Sequence, residues 1–540
     1  MHAGDLRGLV RALRLLMRRH WWHALAWALP LWAVMASVGP SYESLYPDPA
    51  SRAFLVREAQ NSPAMTMLMG ELTMPGAVGQ LIVWKPGTYV IVSVIVMAIV
   101  HTAGMARRDE QDGLTETLLA AGAGRWTPFM AAAMWMGAMV AFVAVGVGAS
   151  LSVSAVALTS LTALGAWTFA GVVAAVGWTF VALTLLVAQF LRDPNAVRGT
   201  TFALFGLQWL IRIIASQVEM PRLRWLSPMA WRDLVDPYGA DRPAAIVVGT
   251  LSALVLLGAA TLAHSRRELL GALLPDRSGS GARWNLRRPW GLRARLGWRH
   301  LAWWSLVACG VSAFFGSMTG SMREILYESP ETAAYLEALG GTTADVVATF
   351  MQLLTLLTVL MALVGAIQRA GWLAADEMRG LVGATLAQGV SRTRLYVAHV
   401  LDTLVVGALL LLLAGVGLAA ATAHSLPSDH AAERAAVYTL SQGPGVLAAI
   451  GVTCALGALW PRLTSLAWLS LAWAAAVSFI GELLDLPEWL RKLTYLGLVI
   501  DVVGPVETSD WVPLLIQALV GFGGIAVGWW AFTRCDLVGA

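Results

Sequence analysis

The stretch Arg107–Phe129, RRDEQDGLTETLLAAGAGRWTPF, occurs a second time as AADEMRGLVGATLAQGVSRTRLY from Ala374 to Tyr396. Asp109-Glu110 matches Asp376-Glu377, Gly113-Leu114 matches Gly380-Leu381, Leu119-Ala120 matches Leu386-Ala387, Gly122 matches Gly389 and Arg125 matches Arg392. Every pair is 267 residues apart in a chain of 540. That spacing is close to half the length, which points to an internal duplication. Each copy is polar, compatible with a helix, and set between two long apolar runs. Each therefore reads as a short helix pushed out of a bilayer, with a surface free to touch something.

Outward from these segments, the composition is that of a membrane protein: 58% hydrophobic, 13% charged, mean hydropathy +0.67. A bilayer needs about 20 consecutive apolar residues per helix. On that measure spans fall near 21–39, 86–106, 128–150, 165–191, 199–217 and 243–263, then near 301–318, 346–368, 396–421, 444–460, 464–482 and 511–533. The expected fold is all-α and polytopic, about 12 transmembrane helices arranged as two tandem six-helix halves. The expected domains are an amphipathic interface helix (1–20), a first half (21–263, with its exposed helix at 109–122), a basic linker (264–300) and a second half (301–540, with its exposed helix at 376–389). The interface helix is inferred from Arg7, Arg11, Arg14 and Arg18, spaced four, three and four residues apart, opposite Leu6, Leu9, Val10, Leu13 and Leu16. A secretory signal is disfavoured, because Pro40-Ser-Tyr-Glu follows the apolar run in place of a small-residue cleavage site.

Orientation follows from arginine, which is retained on the cytoplasmic side. The connections Arg107–Thr127, Arg192–Arg198, His264–His300, Arg369–Leu395 and Pro461–Leu463 carry it, and the longest holds nine arginines. The other connections are mixed or acidic, as with Glu324, Glu328, Glu331, Glu337 and Asp345. Both termini of this multi-pass protein are therefore expected in the cytoplasm. Further echoes support a parallel repeat. Arg224-Trp-Leu-Ser-Pro resembles Arg491-Lys-Leu-Thr-Tyr, and Ser265-Arg-Arg-Glu-Leu resembles Thr533-Arg-Cys-Asp-Leu.

Lysine occurs only at Lys85 and Lys492, beside Trp84 and Pro86 and beside Arg491 and Leu493. Neither has the Gly-Lys-Ser/Thr surroundings of a phosphate-binding loop, so a standard P-loop ATPase is excluded from this chain. Cys309, Cys454 and Cys535 lack metal or redox spacing. No catalytic residue, metal site or resident cofactor is expected, and nothing in the pattern calls for nucleic acid.

An acidic pair, a glycine, a leucine-rich turn, then a small residue and an arginine, placed after the second span of a six-span unit, resembles the coupling helix of ABC exporter permeases of the type-2 class. Leu226-Ser-Pro-Met-Ala-Trp231 and Asp236-Pro-Tyr238 are similar to the segment before the last span in that class. The fused, double-length form resembles actinobacterial permeases for polyketide antibiotics or multidrug efflux. The resemblance implies an ATP-driven exporter of hydrophobic or amphipathic small molecules, with ATP and Mg on a separate ATPase subunit present in two copies. It assigns ATPase coupling to Asp109, Glu110, Gly113, Glu116, Arg125, Asp376, Glu377, Gly380 and Arg392. One departure is Gly383, where the first copy has Glu116.

Ionisable residues inside spans are functional candidates by default. His101, Arg212, His399, Asp402 and Glu482 qualify. For His101 the plainer reading is snorkelling, and for His399 and Asp402 it is mutual pairing. Arg212 and Glu482, on pseudo-equivalent spans 5 and 11, form a candidate outer gate, with Glu219 as the competing local partner of Arg212. Two rival classes are a polytopic membrane enzyme, such as a lipid-linked transferase using Glu43 and Asp48, and an ion-coupled secondary transporter. The enzyme gives no reason for the repeated helix, and the secondary transporter, which also uses parallel repeats, needs acids near the midplane, where the spans are almost free of them.

Overall fold

A computed structural model describes the chain except residues 1–2, 62–65, 67–68, 158–160, 218–219, 275–288, 328–342, 426–429, 481–493, 497–507 and 537–540. Among the described residues every regular element is helical, and ten helices are long and apolar enough to cross a membrane. Six lie before residue 278: Gly8–Ser44, Val78–Gln111, Thr127–Ala155, Ala163–Phe190, Pro194–Ser216 and Ala244–Arg266. Four lie after it: Met351–Met378, Arg392–Ser425, Ala431–Leu459 and Trp511–Arg534. The protein is thus all-α and multi-pass. The expected span 301–318 falls inside the longer helix Pro289–Tyr327, and the expected span 464–482 corresponds to Leu466–Ile480 among the described residues. The chain divides into two compact units, Met1–Ser278 and Gly279–Ala540, each described on its own.

In the first unit, Ala163–Phe190 is apolar on every side and rich in Ala, Gly and Val, so it suits a position surrounded by other helices. It takes that position: 72% of its apolar window is buried, against 17% for Pro194–Ser216, whose outer face is left for lipid. The hydroxyl of Thr162 caps it by accepting from the Gly165 backbone N–H at 3.1 Å. The expected interface helix is not a separate element. Ala3–Leu45 is one continuous helix, and Leu9, Ala12 and Leu16 are buried against Ala131 of the Thr127–Ala157 helix. A neighbouring helix has taken the apolar face that the sequence assigned to the bilayer surface.

The second span starts with Pro86 at its first helical position, where a missing N–H costs nothing. It ends in a widened π-type turn, Gly104–Arg108. Such a turn accommodates an extra residue and re-aims the side chains that follow. Here Arg107 is turned inward and is 1% exposed. His101 does not snorkel, since it accepts a hydrogen bond from the indole N–H of Trp27 at 3.0 Å.

At the opposite end of this span, Arg232 donates to the carbonyl of Trp84 at 2.7 Å and to the hydroxyl of Thr88 at 2.5 Å. Its neighbour Asp233 accepts from Arg232 Nε at 3.0 Å and lies 3.4 Å from Arg212 Nε. Arg212 is fully buried and has its counter-charge, Asp233, inside its own unit. Glu482 and Glu219, the two partners considered from sequence, lie outside the described residues.

In the second unit Gly443–Leu459 packs on Thr508–Arg534 through glycines. A Cβ added to Gly451 would meet the Gly521 carbonyl oxygen at 2.2 Å, so the two backbones touch directly. Small residues permit this approach, and in lipid such contact is a main source of helix association. His399 and Asp402 do not pair with each other. Asp402 takes Arg369 at 2.6 Å, while His399 meets Arg293 at 2.9 Å and the Ala370 carbonyl at 3.0 Å. Asp402 supplies the counter-charge of Arg369, since an unpaired buried charge is strongly destabilising, and His399 supplies Arg293 with a hydrogen-bond acceptor.

Candidate functional site

The two copies of the repeated segment have the same backbone. In the first, Gly113 has φ +77° and begins the helix Leu114–Ala120, and Gly122 follows with φ +84°. In the second, Gly380 has φ +73° and begins Leu381–Leu386, and Gly389 follows with φ +83°. A Cβ at any of the four would meet nothing within 4 Å, so glycine is required there by the left-handed backbone and not by lack of space. Two left-handed turns at one spacing lift a short helix clear of the spans in each unit. No residue of Leu114–Ala120 is buried, and only Val382 is buried in Leu381–Leu386.

The acidic pairs point the other way, toward the protein. Asp109 pairs with Arg19 at 3.0 Å. Glu110 is 4% exposed and is fully occupied. It accepts from Arg107 at 3.0 Å, from Arg267 at 2.9 and 3.2 Å, and from the Leu270 backbone N–H at 2.6 Å. Both arginines also donate to the Gly271 carbonyl, at 3.0 and 3.1 Å. Glu110 therefore ties the root of the exposed helix to the segment that leaves the sixth span. Glu377 is likewise buried, at 5% exposure.

The repeated arginines serve a role that the sequence did not disclose. Arg125 donates to the carbonyls of Ser265 and Arg267, which end the helix Ala244–Arg266. Arg392 donates to the carbonyls of Phe532 and Cys535, at 3.3 and 2.7 Å, at the end of Thr508–Arg534. Carbonyls at a helix C-terminus have no intrahelical partner and carry the negative end of the dipole, so a guanidinium there satisfies both. In each unit the exposed helix is thereby fastened to the last span of that unit.

Of the residues expected at the site, Glu110 holds Arg107 and Arg267, Arg125 reaches the Arg267 carbonyl, and Asp109 meets Arg19. Glu116 points away, exposed, along with Gln111, Asp112 and Thr117. In the second copy the exposed residues include Met378, Arg379, Leu381 and Gln388. Arg107, three residues before Glu110 on one helix face, was legible as its partner. Arg19 and Arg267 were not, since only the fold brings them near.

The helical build and the apolar spans define a multi-pass membrane protein whose two units present the same end structure. Residues 286–533 match the family described as "Multidrug efflux system permease Rv1217c, C-terminal domain". The whole chain is 29% identical, over 552 aligned residues, to the "Multidrug efflux system permease protein Rv1217c" of Mycobacterium tuberculosis (strain ATCC 25618 / H37Rv), covering 99% of this chain and 96% of the relative. The resemblance to multidrug efflux permeases read from the repeated segments holds along the full length.

Proposed function

We propose that this chain is the membrane subunit of an ATP-driven exporter of hydrophobic or amphipathic small molecules, drugs among them. A separate ATPase, present in two copies, docks on the exposed faces of 109–122 and 376–389, with those segments and both termini in the cytoplasm. The observation that carries the reading is the paired end structure: two exposed helices of one geometry, each fastened at Arg125 or Arg392 to the last span of its unit. Motion imposed on such a helix passes to the span through hydrogen bonds to charged groups, which are among the stronger contacts available. The division of labour differs from the one read in sequence. Gln111, Asp112, Glu116 and Thr117, with Met378, Arg379 and Leu381, meet the ATPase, and Glu110 transmits from behind. The name of the relative supports drug export. Asp402 has a structural partner in Arg369, which disfavours its use in an ion-coupled mechanism.

The test is co-expression with the ATPase encoded beside it, purification of the complex, and measurement of hydrolysis with and without candidate drugs. A stable complex whose hydrolysis responds to drug supports the proposal. A folded chain that neither binds the ATPase nor alters its turnover would refute it.

A further inference from the structure

Beneath the exposed helix of the first unit lies a cavity of about 310 Å³. Its walls are the ends of four candidate membrane helices, through Met105, Phe129, Ala132, Leu185 and His264. Its roof is Leu119 of the exposed helix together with Leu269. Pockets at the small end of the ligand-binding range, about 300 Å³, suit one drug-sized molecule or one acyl segment.

The second unit indicates that this hollow is a built feature of the first. Thr115, Phe129 and Ala132 line the cavity; at the matching registers, 267 residues on, stand Val382, Tyr396 and His399. All three are buried, as are Phe129 and Ala132, so the units differ here in side-chain size and not in burial. Two of the three replacements add a hydroxyl or an imidazole, and both are in use: Tyr396 donates to the Ile525 carbonyl at 3.0 Å and His399 contacts that of Ala370. The first unit keeps alanine and phenylalanine at these places and leaves space.

The polar rim sets the charge of the occupant. Arg125 and Arg267 line the cavity with Glu110 and Glu268, and Arg107, from behind the wall, shares Glu110 with Arg267, so that carboxylate is already taken up by two cations. Glu110 already accepts from three donor groups. Arg267 is 7% exposed, and its Nε has no hydrogen-bond partner among the described residues. An anion placed here gains charge-assisted hydrogen bonds that a neutral group does not.

We infer that this cavity binds an anionic amphiphile, its apolar part between Leu119, Phe129 and Leu185 and its acid group at Arg125 and Arg267. Bound there, the molecule lies between the exposed helix and the spans of the first unit only. Its binding depends neither on a docked ATPase nor on the identity of a cargo.

The test uses the full chain in nonionic detergent, photolabelled with a diazirine analogue of dodecanoate and mapped by peptide mass spectrometry. Label is expected on peptides holding Leu119, Phe129 or Leu185, displaced by excess dodecanoate and not by dodecanol. Ala132→Leu and Leu119→Phe narrow the cavity from two walls, and each is expected to cut labelling by roughly tenfold in protein that still elutes as a single sharp peak. If one variant fails to fold, the other decides. Displacement by phosphatidylglycerol assigns the site to a bilayer lipid, and displacement by dodecanoate alone assigns it to a single-chain acid; either supports the inference. Unchanged labelling in a folded filled variant, or dodecanol competing as well as dodecanoate, overturns it.

Discussion

After Gly113 the first exposed helix shows Glu116, Thr117 and Ala120 to its surroundings, beside Gln111 and Asp112. After Gly380 the second shows Leu381, Ala384 and Ala387, beside Met378 and Arg379, with Met378 at 50% and Leu381 at 51% exposure. Behind these faces the two copies agree: the left-handed glycines, the buried glutamate and the arginine on the last span. The glycines, the glutamate and the arginine that recurred in the sequence build and fasten the helix. Outward, Ala120 and Ala387 still agree, but the charged and polar positions diverge, one face acidic and polar, the other apolar and basic. Recurrence in a duplicated protein can mark the scaffold and leave the contact surface to diverge.

The sharpest way to break that comparison is at Glu110. Glu110→Gln leaves Arg107 and Arg267 buried around a neutral amide. Removing one member of a buried ion pair costs about 3–5 kcal/mol. The expected outcome is a large fall in folded yield and a lowered unfolding midpoint, read by fluorescence-detected size exclusion after heating. If Glu110→Gln is as stable as the parent while a partner is lost, the glutamate is a contact and the scaffold reading fails. Glu116→Gln, at an exposed position, should leave stability unchanged to within about 0.5 kcal/mol.

Next in size are the glycines. Gly113→Ala and Gly380→Ala each place a Cβ on a left-handed residue, at about 1–2 kcal/mol. Because neither Cβ would meet a neighbour, the two losses should be alike. Each loss is a backbone cost local to its own turn, so the losses should add in the double variant. A marked inequality would show that one copy has contacts at its turn that the other lacks.

The arginines come last. Arg125→Ala and Arg392→Ala should each cost about 1 kcal/mol or less, the scale of a cation at a helix C-terminus. Hydrogen exchange localises the effect. Amides in the last turn of Ala244–Arg266 should exchange faster in the first variant, and those ending Thr508–Arg534 in the second. Faster exchange confined to the exposed helices would mean that the arginines stabilise their own segments and not the spans.

Much of this architecture is legible in the amino-acid sequence. The helical class follows from apolar runs of bilayer length, and the end segments follow from their repetition. The left-handed turns sit at Gly113, Gly122, Gly380 and Gly389, all of which recur in register. The direction in which the acidic pairs point is not legible, because Glu110 is held by Arg267, 157 residues away, and a linear pattern does not distinguish a buried carboxylate from a docking one. The same reason hides Asp233 from Arg212 and Arg369 from Asp402. The N-terminal arginine stripe misleads for a different reason. An amphipathic face is equally served by lipid or by a helix, and here Ala131 and its neighbours cover Leu9 and Leu16 while Val10 stays exposed.

The central claim is that the outward faces of both segments meet an ATPase while the buried glutamates do not. Site-specific photo-crosslinking in membranes tests this directly, with benzoylphenylalanine placed in turn at Glu116, Leu381 and, as a control, Tyr89, which is exposed near the opposite end of the span that leads into the first exposed helix. The account predicts crosslinks to the ATPase from Glu116 and from Leu381, and none from Tyr89. A folded chain, co-expressed with its ATPase, that gives no crosslink from either Glu116 or Leu381 would contradict it.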